Sequence, residues 1–269
     1  MDLQLADQVA VIVGGAQGIG RAVASQFAKE SCRVAIVDYS ERVTGSAAEL
    51  ATEHSVQSIG YRADVTFLPQ LESARDSILR DFSRCDHVVY AAGLGSGKFG
   101  FPFWNLDSSE WPRMLDVNLV GAVSTAQVFQ ESLRSSPVGS MAFLSSIAGQ
   151  IGSQTDPPYS AAKAGLINFS QCAAKDLAPY GVRVNTICPG MVQTELNRSV
   201  YQAWADRQPA DQRMTYETWA GEKIRKLVPL GRWQSPEDIA NMVVFLASPR
   251  CRNVTGQTIN VDGGFVMHW

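Results

Sequence analysis

A single doubly wound α/β domain, with a parallel sheet flanked by helices, is what this sequence predicts, and three observations carry the prediction. Short β-branched runs alternate along the chain with longer segments of helical periodicity, the pattern of parallel strands joined by crossover helices. A glycine-rich turn, Gly14-Gly15-Ala16-Gln17-Gly18-Ile19-Gly20, stands between the first such run and the first helical pattern. No linker, repeat or low-complexity tract divides the 269 residues, a length within the single-domain range for this class.

In chain order, strands are expected at 9–13, 34–37, 58–62, 87–90, 141–144, 182–187 and 258–261. Helices are expected between them at 18–30, 41–54, 68–83, 108–134, 158–179 and 236–247. The last opens on Ser235-Pro236-Glu237-Asp238, a hydroxyl cap followed by Pro and first-turn acids. Two segments break the rhythm, and long loops in a compact domain are usually functional or lid-like. Residues 93–107 carry Phe99, Phe101, Phe103 and Trp104, read either as an apolar wall of a ligand pocket or as loop packing. Residues 194–229 carry Val200, Tyr201, Trp204, Tyr216 and Trp219, and are expected to form helices closing over a ligand, an oligomer contact, or both.

Composition excludes several classes. Lys and Arg number 23 against 26 Asp and Glu, a formal net charge of −3 with no run of five like charges, which leaves no footprint for nucleic acid. The longest apolar runs are of strand length, far short of the roughly 18 residues that a membrane span needs. Met1-Asp2-Leu3-Gln4 lacks the basic and apolar pattern of a secretory signal, so a cytoplasmic location is expected. Five cysteines, Cys32, Cys85, Cys172, Cys188 and Cys251, are widely spaced without a C-x-x-C pair. They read as small hydrophobes, with no disulfide framework and no metal site.

The glycine turn suits a phosphate ligand. Gly14, Gly18 and Gly20 in the spacing G-x-x-x-G-x-G allow a tight turn and bring backbone N–H groups and a helix N-terminus up to a pyrophosphate. By itself such a turn is equally a plain strand-to-helix connection. The second strand, however, ends in Asp38, 18 residues beyond Gly20, where a carboxylate accepts ribose hydroxyls and repels a 2′-phosphate. With no Lys or Arg at 16–19 or at Tyr39 and Ser40, NAD is expected rather than NADP. Asp64-Val65 closes the third strand, where an Asp can hold an adenine amino group or serve as a helix N-terminal carboxylate.

Tyr159-Ser160-Ala161-Ala162-Lys163 sets a phenol and an ammonium four residues apart, one helical turn, on one face. A free phenol, with a pKa near 10, is too weak a base at neutral pH, and a neighbouring cation is expected to bring it down. Ser146 follows the strand at 141–144 and precedes Tyr159 by 13 residues, at the strand end where open α/β sheets bind ligands.

Taken together these residues resemble the short-chain dehydrogenase/reductase family over essentially the whole chain. The glycine turn, Asp38, Asp64-Val65, Asn118 within Asp116-Val117-Asn118, Ser146, Tyr159 with Lys163, Pro189-Gly190 with Thr194, and Asp262-Gly263-Gly264 fall in the family's order and spacing. The resemblance implies a Rossmann-type sheet of seven parallel strands in the order 3-2-1-4-5-6-7, and a homotetramer. It makes Tyr159 the general acid/base, Lys163 the group that lowers its pKa and binds the nicotinamide ribose, Ser146 the holder of the substrate oxygen, and Asn118 the anchor of a relay water. Cofactor contacts are implied at Gly14 to Gly20, including Gln17 and Ile19, at Asp38, Asp64 and Val65, and at Ala92 and Gly93. Pro189, Gly190, the Val192 backbone and the Thr194 hydroxyl would wrap the nicotinamide.

Two positions depart from the family pattern: Val13 stands where the turn usually starts with Thr, and Ala91 where the fourth strand usually ends Asn-Ala-Gly. Removing polar atoms from both sides is expected to leave an apolar version of one contact with no stranded partner. The expected activity is NAD-dependent hydride exchange with a small hydroxylated secondary alcohol or ketone, a sugar or polyol. Gln150, Ser153, Gln154 and Asp156 are candidates to read its hydroxyls. A 3-oxoacyl thioester reductase, using Arg134, Arg198, Arg225 and Lys226 to hold a carrier, and a silent NAD-binding regulator are the alternatives. His54 and His87 read as surface or strand-edge residues outside the site, and His268 and Trp269 as a tail toward a neighbouring subunit.

Overall fold

The computed structural model describes residues 1–97, 103–152 and 156–267. Phe99, Phe101, Ser153, Gln154, His268 and Trp269, singled out above, lie outside the described residues. The strands are β1 Val9–Val13, β2 Arg33–Asp38, β3 Ser58–Arg62, β4 His87–Tyr90, β5 Ser140–Leu144, β6 Arg183–Pro189 and β7 Thr258–Val261. They pair in parallel in the order β3-β2-β1-β4-β5-β6-β7, as the resemblance implied. The order reverses between β1 and β4, and the crevice at their C-terminal ends is where such sheets take ligands.

Alternation along β1 explains the two layers. Val9, Val11 and Val13 face a core shared with Val88, Tyr90 and Phe143. On that side lie α3 (Leu68–Phe82), α5 (Gly121–Arg134) and α6 (Pro157–Leu177), which contribute Leu71, Ile78, Phe129 and Leu166. Ala10 and Ile12 point the other way, into a core with Ile36, Val89, Val23, Phe27, Ile239 and Val243. Those side chains come in part from α1 (Gly18–Lys29) and α9 (Pro236–Ala247), with α2 (Val43–His54) on the same face. A sheet buried on both faces needs continuous apolar strands, which is why β1 reads VAVIV. The start signal of α9 is a true capping box, Ser235 and Asp238 each accepting the other's backbone N–H.

The helix expected at 108–134 is interrupted. A short α4 (Trp111–Leu115) passes through a π turn, Asp116–Val120, before α5 begins. Periodicity does not reveal this, because one wide turn shifts the apolar face without breaking it. The excursion at 194–229 contains α7 (Glu195–Ala205) and α8 (Tyr216–Leu227). Among the described residues, no helix is long and apolar enough to cross a membrane.

His87 corrects the strand-edge reading: it is fully buried at the start of β4. Its Nδ1 lies 2.8 Å from the Ser140 hydroxyl and its Nε2 2.6 Å from Gln8 Oε1, which a neutral ring satisfies as acceptor and donor. Burial brings its pKa from the ordinary 6.5 down to about 4, with the guanidinium groups of Arg183 and Arg84 acting in the same direction and Asp86 opposing. A lowered histidine favours the fold above the ordinary value, and that contribution drains away as pH falls from 6.5 toward about 4. Urea unfolding at stepped pH should show a loss on the order of 3 kcal/mol across this window, and His87→Gln should flatten it. An equal slope in the variant would assign the loss elsewhere.

Candidate active site

The turn after β1 is shaped by close backbone approach. Gly14 adopts φ +83° and donates to Val37 O at 2.7 Å, and a Cβ there would overlap the Ala92 backbone. A Cβ on Gly20 would overlap the Gly14 carbonyl. Helix α1 therefore begins tight against the turn, with Gln17 extended, no side-chain cap and no acid in its first turn. Its leading N–H groups thus have no capping side chain, which fits the diphosphate of a dinucleotide. Asp38, 8% exposed, ends β2 beside them: Oδ2 accepts Ala16 N and Oδ1 accepts Ser40 N, each at 3.0 Å. The β2–β3 register sets Arg62 opposite Asp38, a neighbour that the sequence spacing did not reveal. Arg62 directs Nε to the Tyr39 carbonyl and lies 3.3 Å from Glu41.

Asp64 has Oδ1 engaged by the Thr66 N–H and hydroxyl at 2.9 and 2.7 Å, a turn ahead of α3, whose N-cap is Phe67, so Asp64 is not the helix N-terminal carboxylate of the alternative reading. The Val65 side chain is buried in the core, so a cofactor would meet its backbone. At the departures from the family pattern, Ala91 N donates to Val13 O at 2.7 Å and Val13 is fully buried. The contact between turn and β4 is made by backbone alone.

At the C-terminal ends of β4 and β5 the four candidate catalytic residues converge. Gly93 follows β4, and a Cβ there would stand 3.0 Å from Asn118 Oδ1 and 3.5 Å from Lys163 Nζ. Asn118, fully buried on the π turn, donates through Nδ2 to Leu94 O at 2.9 Å and Met114 O at 3.0 Å, and accepts Leu94 N at 3.3 Å. Ser146 caps the short 3-10 turn Ile147–Gly149 by accepting Ala148 N at 3.1 Å, and its hydroxyl acts on the Tyr159 phenol. That turn is sewn to α6: Ser145 Oγ donates to Lys163 O at 2.8 Å, Ser160 Oγ donates to Ala148 O, and a Cβ on Gly149 would strike the backbone of Lys163 and Ala164. The stitching sets Ser146 against Tyr159 across 13 residues of chain. Lys163, 3% exposed, donates to Leu144 O at 2.8 Å, with Nζ 5.5 Å from the Tyr159 ring centre.

The electrostatics differ from expectation. Burial pushes the Tyr159 phenol up to about 12, the Asp156 carboxylate adding to the rise and the Ser146 hydrogen bond opposing it. Lys163 is brought down to about 8 by burial, and its ammonium is not among the groups that move Tyr159. The expected lowering of the phenol by Lys163 is not seen in the chain alone: burial disfavours the phenolate, with Lys163 Nζ 5.5 Å from the ring centre. Asp156, above its usual range through burial, accepts Ser96 N at 2.7 Å and ties the segment after β4 to the start of α6.

Other polar candidates take structural partners. Gln150 forms a reciprocal amide pair with Asn260 on β7, at 2.6 and 2.9 Å, which secures the Ser146 turn from the sheet's far side. Pro189 ends β6, and the next turn is tight: a Cβ on Gly190 would meet Asp262 and Gln234. Val192 forms a lone bridge with Gln234, and the Thr194 hydroxyl caps α7 by accepting Asn197 N at 3.4 Å. Phe103 and Trp104 meet edge to face, their centres 5.2 Å apart, yet are 66% and 71% exposed, so the loop-packing reading does not hold for these two. In the excursion, Tyr201 lies 5.5 Å from both Tyr216 and Trp219, and Trp204 lies 6.1 Å from Trp219, knitting α7 and α8 into one unit.

A family model described as enoyl-(acyl carrier protein) reductase matches residues 14–266. An uncharacterized short-chain type dehydrogenase/reductase of Sinorhizobium fredii is 34% identical over 98% of this chain and 99% of its own. A 3-oxoacyl-[acyl-carrier-protein] reductase of Synechocystis is 31% identical over 98% of each. Among solved structures, L-sorbose reductase from Gluconobacter frateurii, complexed with NADPH and L-sorbose, superposes over 100% of both chains with a TM-score of 0.91 at 27% identity.

Proposed function

The chain belongs to the short-chain dehydrogenase/reductase family and is an oxidoreductase, and from that premise we propose that it interconverts a secondary alcohol and a ketone on a small sugar or polyol, with NAD. The observation that carries the reading is the cluster itself: the Ser146 turn stitched to the helix that bears Tyr159, with Lys163 and Asn118 gathered about Gly93, beside the glycine turn.

Each side chain has a task set by its surroundings. Tyr159 takes or gives the proton of the substrate oxygen, and Ser146 donates a hydrogen bond to that same oxygen. Lys163, held by Leu144 O, presents its remaining N–H groups to ribose hydroxyls. Asn118, its side chain committed to Leu94 and Met114, steadies the turn where a relay water would stand. The α1 N-terminus with Gly14, Gln17, Gly18, Ile19 and Gly20 holds the diphosphate, and Asp38 the adenosine ribose. Ala92 and Gly93 leave room for the cofactor, and the backbone from Pro189 to Val192 with Thr194 lies along its nicotinamide end. The bound nicotinamide supplies the hydride chemistry. The paired helices α7 and α8 act as the lid that excludes water.

Asp38 supports NAD: its charge opposes a 2′-phosphate, and Arg62 is engaged by Tyr39 and Glu41. The likeness to a sugar reductase supports the substrate class. Likeness to the Synechocystis protein favours a second reading, a 3-oxoacyl thioester reductase. Following nicotinamide absorbance with NAD and NADP against polyols, sugars and a 3-hydroxyacyl thioester separates them. NAD-linked turnover of a polyol or sugar is expected, and turnover of the thioester with NADP would replace the first reading by the second.

A further inference from the structure

Tyr90 closes β4 with a phenol where the rest of the strand is His-Val-Val, and it is fully buried. Its hydroxyl donates to the carbonyl of Val117, the residue before Asn118 on the π turn. A π turn takes carbonyls out of the regular helical ladder, and buried carbonyls need other donors. Here side chains provide them: Asn118 Nδ2 reaches Met114 O at 3.0 Å, and Tyr90 reaches Val117 O. Gly121, the first residue of α5, makes the approach possible, since a Cβ there would stand 2.6 Å from the Tyr90 oxygen and 2.8 Å from Val65 Cγ2. Burial holds the phenol far above its ordinary value, so it stays a donor at any working pH.

We propose that Tyr90 is a positioning residue for the reaction: by pinning the Val117 carbonyl, its hydroxyl sets the turn that presents Asn118 to Leu94, Gly93 and the Lys163 ammonium. The inference rests on the reading of Asn118 as part of the catalytic group. Tyr90 touches no reacting atom. It acts through one peptide unit, so its removal should cost rate rather than cofactor affinity, and only while Asn118 is present.

Steady-state kinetics on wild type, Tyr90→Phe, Asn118→Ala and the double variant tests this. Tyr90→Phe is expected to lower kcat about tenfold with KM for cofactor and substrate within about twofold, and to add less than about twofold to the loss caused by Asn118→Ala. A wild-type kcat in Tyr90→Phe, or a full tenfold further loss in the double variant, would overturn the positioning role. Full activity in Asn118→Ala would instead remove the reading on which it rests. Should Tyr90→Phe not fold by circular dichroism, 4-aminophenylalanine at position 90 restores a donor in the same place. Turnover within about threefold of wild type is then expected, and a larger loss overturns the proposal.

Discussion

Tyr159→Phe is expected to lower kcat by about 10²- to 10⁴-fold, the usual worth of a positioned proton donor or acceptor. Cofactor binding should stay within a few-fold, because the ring that packs beside Lys163 is kept and only the oxygen goes. The phenol is half-buried and held near 12 by burial and the Asp156 carboxylate. At neutral pH it therefore carries its proton, ready to deliver it to a ketone oxygen. Reduction should accordingly be flat with pH through the neutral range, whereas oxidation, which needs the deprotonated form, should rise with pH. Rapid-mixing measurement of both directions checks the two claims together, and a variant that retained more than about a tenth of wild-type kcat would move the proton transfer to another group.

Asp38→Asn should change cofactor choice by a comparable factor. A carboxylate facing a 2′-phosphate costs several kcal/mol, and each 1.4 kcal/mol is tenfold, so the ratio of kcat/KM for NAD over NADP should fall by about 10²-fold. Asn keeps the size and one acceptor, so part of the bonding to Ala16 N and Ser40 N survives. The change should come mostly from a gain with NADP. An unchanged ratio would mean that Asp38 serves only to brace the glycine turn, and a wild-type preference for NADP would withdraw the NAD assignment altogether.

Much of the architecture was legible in the chain. The seven strands lie within two residues of their expected limits because most are short apolar or β-branched runs bounded by breakers, and α9 starts where its capping box says. Gly14, Gly18, Gly20, Asp38, Ser146, Tyr159 and Lys163 were legible as candidates because tight turns and helical spacing restrict which residues can stand where. The π turn under Asn118 was not, since a run that stays apolar on one face looks the same with one wide turn in it. Nor was the burial of His87, whose partners Gln8 and Ser140 stand 79 and 53 residues away.

The sequence by itself determined the strand-helix alternation, the glycine turn and the spacing of phenol and ammonium, because these depend on interactions within a few residues. The tertiary structure alone decided which way the titrations move, with Tyr159 raised and Lys163 lowered, since desolvation is a property of everything packed around a group. It also decided that Arg62 stands beside Asp38 and that the Tyr90 hydroxyl meets Val117, contacts made by strand register and by a helix crossing a strand, which no local spacing encodes.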